Sequence, residues 1–99
     1  MPFGGQAYFF NQWVITTANE VGAVYGLFKP SLRAGYFDCL YVGKTDNLRR
    51  RLAEHLNNPP IAGITHWFAE VHATELQRTI REAQLIAEFQ PPGNTVGRR

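Results

Sequence analysis

The spacing of apolar residues changes at Gly43, and this change fixes the order of the elements around it. Before Gly43, two short runs over residues 22–28 and 36–42 are rich in aromatic and branched side chains, which is typical of strands. The first run stops at Lys29 and Pro30 and a short loop follows, so the two runs predict an antiparallel hairpin. After Gly43, leucines recur at every fourth position, at Leu48, Leu52 and Leu56. This apolar stripe predicts an amphipathic helix directly after the hairpin.

A third strand is predicted after this helix. Thr45 or Asp46 can cap the helix, and two asparagines followed by two prolines end it over residues 57–60. Over residues 65–72 apolar and polar side chains alternate. Because alternation of this kind is typical of a strand with one buried face, the segment is expected to join the same sheet.

The last helix begins with a predicted capping box. Thr74 is followed three residues later by Gln77, and apolar residues then cover a wide helical face until the prolines at 91–92. A short element over residues 13–18 is expected to pack on the sheet. The sequence therefore predicts an α+β fold with a small three-stranded antiparallel sheet flanked by helices.

The size and composition predict one domain over residues 1–99. We assign residues 22–94 to a core and residues 1–21 to an N-terminal extension that packs on it. Cys39, the lone cysteine, lies in an apolar run and predicts a buried reduced thiol. Because no secretory signal is visible either, we expect a cytoplasmic protein. No stretch reaches the roughly 20 apolar residues of a membrane span, so no membrane partner is expected.

Basic residues are concentrated just after Gly43, although the formal net charge is only +2. They are Lys44, Arg49, Arg50 and Arg51. Such a cluster attracts phosphate, and Lys44, Arg49 and Arg50 are candidates for binding a nucleic-acid backbone. Arginines on a helix are also an ordinary solvated face, and both interpretations stay open at this point.

Arg51 and His55 are the strongest candidates in the helix. They are four residues apart, so they point the same way and flank the leucine stripe. A guanidinium at the edge of a buried face can bind two phosphate oxygens and stabilise the charge of a phosphoryl transition state. The alternative is structural: Arg51 pairs with a nearby carboxylate, and His55 satisfies a backbone carbonyl.

Glu82 stands on the apolar side of the last helix. Apolar residues follow it at the third, fourth and seventh positions, and a carboxylate is uncommon on such an apolar helix face. It can pair with Arg78 four residues earlier, or it can bind one Mg²⁺ or Mn²⁺ whose shell is completed by water and substrate phosphate. The residues alone do not choose between these.

Tyr25 and Tyr41 lie on the two adjacent strands of the predicted hairpin. They can be ordinary core aromatics, or they can bring their hydroxyls together beside Gly43, whose missing side chain allows a close approach. A phenol has an ordinary pKa near 10, so its use as a base needs help from Lys44, Arg51 or a metal.

The motifs together resemble a known family. In order they are Ala23-Val24-Tyr25, Tyr41-Val42-Gly43-Lys44, Asn47-Leu48 with Arg51 and His55, Glu82, and Pro92-Gly93-Asn94. At this spacing they resemble the GIY-YIG nuclease domain, found in homing endonucleases, some restriction enzymes and the incision subunit of bacterial nucleotide excision repair. The resemblance covers about residues 22–94. The chain departs from the usual pattern at Ala23, where glycine is common, and at Val42, which replaces isoleucine; neither change removes a reactive group.

The resemblance implies a role for each matching residue. Tyr25 would activate or position the attacking water, with Tyr41 supporting it near the scissile phosphate. Arg51 would bind the transition state, and His55 would assist proton transfer or hold the tyrosine. The remaining two are Glu82, which would bind Mg²⁺ or Mn²⁺, and Asn94, which would tie the C-terminal segment to the site.

The activity implied is metal-dependent hydrolysis of DNA phosphodiester bonds by a one-metal mechanism that leaves a 3′-hydroxyl and a 5′-phosphate. The alternative is a non-cleaving nucleic-acid-binding module of the same fold that acts with a partner. A small interaction protein with a chance basic helix is a third interpretation. A partner protein or a homodimer is expected to supply specificity, because contacts to the nucleic-acid backbone carry no sequence information.

Overall fold

The computed structural model describes residues 6–95, which form four strands and four helices. The elements in chain order are β1 (Tyr8–Phe9), α1 (Gln12–Ile15), β2 (Ala23–Pro30), β3 (Phe37–Thr45), α2 (Leu48–Asn57), β4 (His66–Val71), α3 (Glu75–Phe89) and α4 (Pro92–Thr95). The predicted hairpin and the order of the later elements are confirmed. The predicted single domain and its N-terminal extension reach beyond this range, since residues 1–5 and 96–99 lie outside the described residues.

The sheet has four strands in the order β1-β4-β2-β3, and every neighbouring pair is antiparallel. The α+β class is confirmed, but the prediction of three strands is wrong. The additional strand, β1, is two residues long and pairs Tyr8 with Trp67 and Phe9 with His66. A segment of two residues is too short to show an alternation of apolar and polar side chains. This strand forms because the edge of β4 is available for backbone pairing.

The register of the hairpin places the two candidate tyrosines on one face. Tyr25 pairs with Gly43, and Leu27 pairs with Tyr41. The register then shifts, because Phe28 pairs with Cys39, and Leu40 is the extra residue of a bulge. Residues two apart on a strand point the same way, so Tyr41 stands beside Tyr25 rather than behind it. β3 also continues to Thr45, beyond the predicted end of the strand.

A core lies on each side of the sheet. On one side α1 and α2 cover the sheet, in a cluster formed by Ile15, Ala18, Ala23, Tyr25, Leu27, Leu48, Leu52 and Trp67. On the other side α3 covers it, in a cluster formed by Val24, Phe28, Cys39, Val42 and Leu85. Cys39 is buried as predicted, and burial raises the pKa of its thiol to about 12. The candidate tyrosine Tyr25 belongs to the α2 side.

The two long helices begin with side-chain caps. The helix α2 is capped by Asn47, whose Oδ1 accepts from the backbone N–H of Arg50 at 3.1 Å, so the prediction of Thr45 or Asp46 as the cap is wrong. Thr45 still belongs to β3, which delays the start of the helix. The predicted capping box of α3 is confirmed, because Thr74 and Gln77 bond reciprocally. Within residues 6–95, no helix has the length and apolar character needed to cross a bilayer.

Candidate active site

A buried hydrogen bond between Tyr25 and His55 lies at the centre of the site. The phenol oxygen of Tyr25 is 2.7 Å from Nε2 of His55, and the two residues are 1% and 5% exposed. β2 presents Tyr25 toward α2, and His55 lies in the last turn of α2 beside the apolar stripe. His55 therefore bonds a phenol, not the backbone carbonyl that its structural interpretation predicts.

The two pKa values move apart. Burial raises the pKa of Tyr25 above its usual range, and the charge of Tyr41 adds to this, while the nearby Arg51 opposes it. Burial lowers the pKa of His55 to about 4, helped by the positive charge of Arg51. At neutral pH the phenol therefore keeps its proton and donates it to a neutral imidazole. A pair with this polarity can accept a proton at the phenol oxygen only when it passes one on to His55.

Gly43 makes room for the phenol. A Cβ placed there would overlap the Tyr25 hydroxyl, would stand 2.6 Å from Cζ of Tyr25, and would stand 3.0 Å from Cε2 of Tyr41. The expected close approach is therefore present. No side chain other than hydrogen fits between the two tyrosines at this point of β3.

Arg51 lies one helical turn before His55 and is half-exposed. Its Nη1 donates to Oε1 of Glu54 at 2.9 Å, and this contact raises the pKa of the guanidinium above its usual value, so Arg51 stays charged. Its charge also acts on Tyr25, lowering the pKa of that phenol. Arg51 thus satisfies both interpretations: it pairs with a carboxylate as the structural one predicts, and it stands beside the tyrosine as the catalytic one requires.

An open cleft of about 530 Å³ lies above the Tyr25–His55 pair. It is lined by Tyr41, Arg51, Glu54, His55, Asn58, Pro59 and Pro60. The Tyr41 ring stands edge-on to the His55 ring, 5.3 Å between centroids. Tyr25 packs against these two rings, with its ring centroid 6.3 Å from that of Tyr41 and 5.6 Å from that of His55, and does not itself line the cleft. The sequence analysis did not identify Glu54 and the segment 58–60 as residues of the site. Their spacing could have indicated them, because Glu54 and Asn58 follow Arg51 by three and seven residues, which places them on the same helix face.

Glu82 lies on α3 and does not line the cleft. It is half-buried on α3, and its negative charge contributes to the raised pKa of Tyr25. Arg78, its predicted alternative partner, donates to the carbonyl of His72 at 2.8 Å and approaches Glu75 at 3.6 Å, toward the start of α3.

The donor set can be tested against a divalent cation. Residues 6–95 contain no group of three or more His, Cys, Asp or Glu side chains suited to a metal. A single carboxylate fits Mg²⁺, which keeps several waters and takes further oxygens from a phosphate.

The other predicted phosphate-binding residues are engaged elsewhere. Lys44 is ion-paired with Glu75 and donates to Thr79 Oγ1 at 2.8 Å, on the α3 side of the sheet. Arg49 donates to the carbonyl of Ala18 at 2.8 Å, and Arg50 pairs with Asp46 at 2.6 Å. None of these three side chains lines the cleft. Their role in binding a nucleic acid stays a prediction.

Asn94 holds the strand that carries the site. Its Nδ2 donates to the carbonyl of Val42 at 2.8 Å, and its Oδ1 accepts from the Val42 N–H at 2.7 Å. The carboxamide thus pairs with β3 as a neighbouring strand would. The preceding Gly93 lies against the backbone of Leu40, which lets α4 approach the strand closely.

Neither a protein-family model nor a curated protein matches the chain, but solved structures do. One is the GIY-YIG N-terminal endonuclease domain of UvrC from Thermotoga maritima bound to magnesium, its catalytic divalent cation. It has 30% sequence identity, covers 81% of this chain and 90% of its own, and gives a TM-score of 0.64. A point mutant of that domain, also bound to its catalytic divalent cation, has 30% identity over 81% and 89%, with a TM-score of 0.63. The similarity therefore extends over most of both chains.

Proposed function

The chain belongs to the GIY-YIG nuclease family, and from this membership we propose that it is a metal-dependent endonuclease that hydrolyses DNA phosphodiester bonds. The observation that carries the proposal is the Tyr25–His55 hydrogen bond beneath an open cleft that Arg51 lines. The structurally similar endonuclease domains are bound to a catalytic divalent cation, which supports the requirement for a metal.

Tyr25 and His55 act as a proton relay in this proposal. The attacking water gives a proton to the phenol oxygen of Tyr25, which contacts the lining residues Tyr41 and His55, and the phenol proton moves to Nε2 of His55. His55 is neutral at physiological pH, so its Nε2 has a lone pair that can accept the proton, and its lowered pKa means that it holds this proton only transiently. The relay avoids a free phenolate, which the burial of Tyr25 strongly disfavours. Tyr41, in the wall of the cleft, orients the water and the phosphate.

Arg51 binds the phosphate under attack. Its guanidinium is charged, faces the cleft and is partly shielded from water, where a hydrogen bond to a phosphoryl oxygen is stronger than in bulk solvent. Glu54 restrains Arg51 in the free protein and still leaves the other guanidinium nitrogens for the substrate. The products are a 3′-hydroxyl and a 5′-phosphate.

Glu82 is the proposed ligand of the divalent cation, Mg²⁺ or Mn²⁺. When bound, such a cation would neutralise developing charge on the phosphate and lower the pKa of bound water. Asn94 keeps β3, and with it Tyr41 and Gly43, in place relative to α4.

A partner or a second copy of the chain is proposed to supply target choice. Unlike Arg51, Lys44, Arg49 and Arg50 lie outside the cleft lining, and each is paired with an acidic side chain, so they add little net attraction for DNA. A dimer would also let a single-site domain cut both strands.

A plasmid-nicking assay with Mg²⁺ or Mn²⁺, extended to branched and damaged DNA, tests the proposal. Glu82→Gln and Arg51→Ala are each expected to lower the cleavage rate by roughly 10²-fold or more. Glu88→Gln is the matched control, since Glu88 is an exposed acid on the same helix. Cleavage by Glu82→Gln at the parent rate would contradict the proposal. Salt-dependent DNA binding without any cut would identify the non-cleaving module instead.

A further inference from the structure

The cleft extends well beyond the groups that the proposed reaction needs. Its volume of about 530 Å³ lies within the range of pockets that hold whole small ligands, and is more than one phosphate group requires. Arg51, Glu54 and Asn58 follow one another along a single face of α2 and the residue after it, and all three line the cleft. The cleft therefore has a catalytic end at Arg51 and His55 and a distal end at 58–60.

The distal end combines a hydrogen-bonding group with an apolar wall. Asn58 is exposed, and no residue in the range 6–95 hydrogen-bonds its carboxamide. Its backbone N–H already caps α2 by donating to the carbonyl of Glu54 at 2.9 Å, so the side chain is not needed for the cap. Pro59 and Pro60 add rigid apolar rings without N–H donors beside it.

The charge of the lining side chains differs along the cleft. The catalytic end has the guanidinium of Arg51, which favours phosphate. The wall between Arg51 and Asn58 has the Glu54 carboxylate, which disfavours a second phosphate there. The distal end thus suits an uncharged ring system with polar edges, attached to a phosphate at the other end.

We infer that the distal end of the cleft binds the sugar and base of one nucleotide flanking the scissile phosphate, and that Asn58 is a specificity-determining residue that hydrogen-bonds the edge of that base. The inference rests on the proposed function. Asn58 is seven positions after Arg51, a rise of about 10 Å along the helix axis, which is comparable with the roughly 8.5 Å depth of the major groove. A carboxamide offers one donor and one acceptor side by side, the pattern that reads a base edge in pairs.

The test is the sequence preference of cleavage in a random DNA pool. The cut ends made by the wild-type protein with Mn²⁺ are sequenced, and the preferred base at one position flanking the cut is expected to exceed the others by about 5-fold or more. Asn58→Ala is expected to bring the four bases within about 2-fold of one another. Asn57→Ala, the same change one residue earlier and outside the cleft lining, is expected to keep both the rate and the preference.

Asn58→Ala is expected to fold, because the backbone of Asn58 has a negative φ of −144°, which alanine can adopt, and its cap bond comes from the backbone. Equal use of all bases by the wild type, or an unchanged preference in Asn58→Ala, would overturn the inference. If no protein cuts with either metal, the proposed hydrolysis fails. Selection of bound sequences then decides the inference: enrichment of a base that Asn58→Ala loses supports it, and any other pattern overturns it.

Discussion

Replacing Gly43 by alanine tests how closely the site depends on the contact between β2 and β3. Gly43 has ordinary strand geometry, so alanine introduces no backbone strain there. Its Cβ would nevertheless stand 2.6 Å from Cζ of Tyr25 and 3.0 Å from Cε2 of Tyr41. Carbon atoms in contact are separated by about 3.5–4.0 Å, so the phenol must retreat by about 1 Å.

Such a retreat has no free space to enter, because Tyr25 is 1% exposed and packs among α2 side chains. We expect the overpacking to lower the free energy of unfolding by about 1–3 kcal/mol. The retreat also breaks or lengthens the 2.7 Å bond to His55. A displacement of about 1 Å in a catalytic group lowers rates by roughly 10²-fold, and this is the loss expected for Gly43→Ala.

Gly22→Ala is the matched control. Its Cβ would overlap the Arg78 guanidinium, 2.8 Å from Cζ, at a position outside the cleft. It is expected to destabilise the protein without disturbing the Tyr25–His55 bond. Urea unfolding measures both stabilities, and nicking is measured at a temperature where both variants are folded. The reasoning is refuted if Gly43→Ala nicks DNA at the parent rate, or if Gly22→Ala loses the same activity.

Three further predictions use other parts of the site. Below pH 6.5 His55 binds a proton in the unfolded state but not in the folded state, so the free energy of unfolding measured with urea should fall by about 3 kcal/mol between pH 6.5 and 4. His55→Gln should flatten this pH dependence. An unchanged slope in His55→Gln would contradict the prediction. Asn94→Ala leaves the N–H and carbonyl of Val42 unbonded in a buried place and should lower the free energy of unfolding by about 2–4 kcal/mol, read as a fall in melting temperature. Arg51→Ala should reduce the slope of log DNA affinity against log salt concentration by about one, because one phosphate contact is lost. Lys44→Ala should leave this slope unchanged, because Lys44 is engaged with Glu75 and Thr79. Equal effects of the two changes would show that Lys44 also binds phosphate.

The fold could be predicted where the sequence contains a local pattern of apolar or capping residues. The hairpin, the leucine stripe of α2 and the capping box of α3 are local patterns, and the structure contains each of them. β1 could not be predicted, because two residues show no period and the strand exists only through its pairing with β4. The cap of α2 moved to Asn47 for a related reason: pairing with β2 holds Thr45 in β3 and postpones the helix.

The motifs indicated which side chains would meet, and the catalytic roles of those side chains stay predictions. The motifs pointed to Tyr25, Arg51 and His55, which the structure brings together across two elements. Where a long charged side chain goes is decided by partners that are distant in sequence. Alternation along β3 turns Lys44 to the face opposite Gly43, and there its ammonium group pairs with Glu75, 31 residues away. Spacing alone carries no information about such a partner.

The short helix α4 has a larger part in the site than its length suggests. β3 is an outer strand of the sheet, and an outer strand has backbone groups without a neighbouring strand. Asn94 satisfies both backbone groups of Val42, and Val42 lies between Tyr41 and Gly43. Val42, which the C-terminal segment anchors, therefore stands between Tyr41, which lines the cleft, and Gly43, which lies against the Tyr25 hydroxyl. Because the alternate side chains of β3 point to opposite faces, fixing Val42 from the edge holds Tyr41 and Gly43 without occupying the space that the substrate must enter.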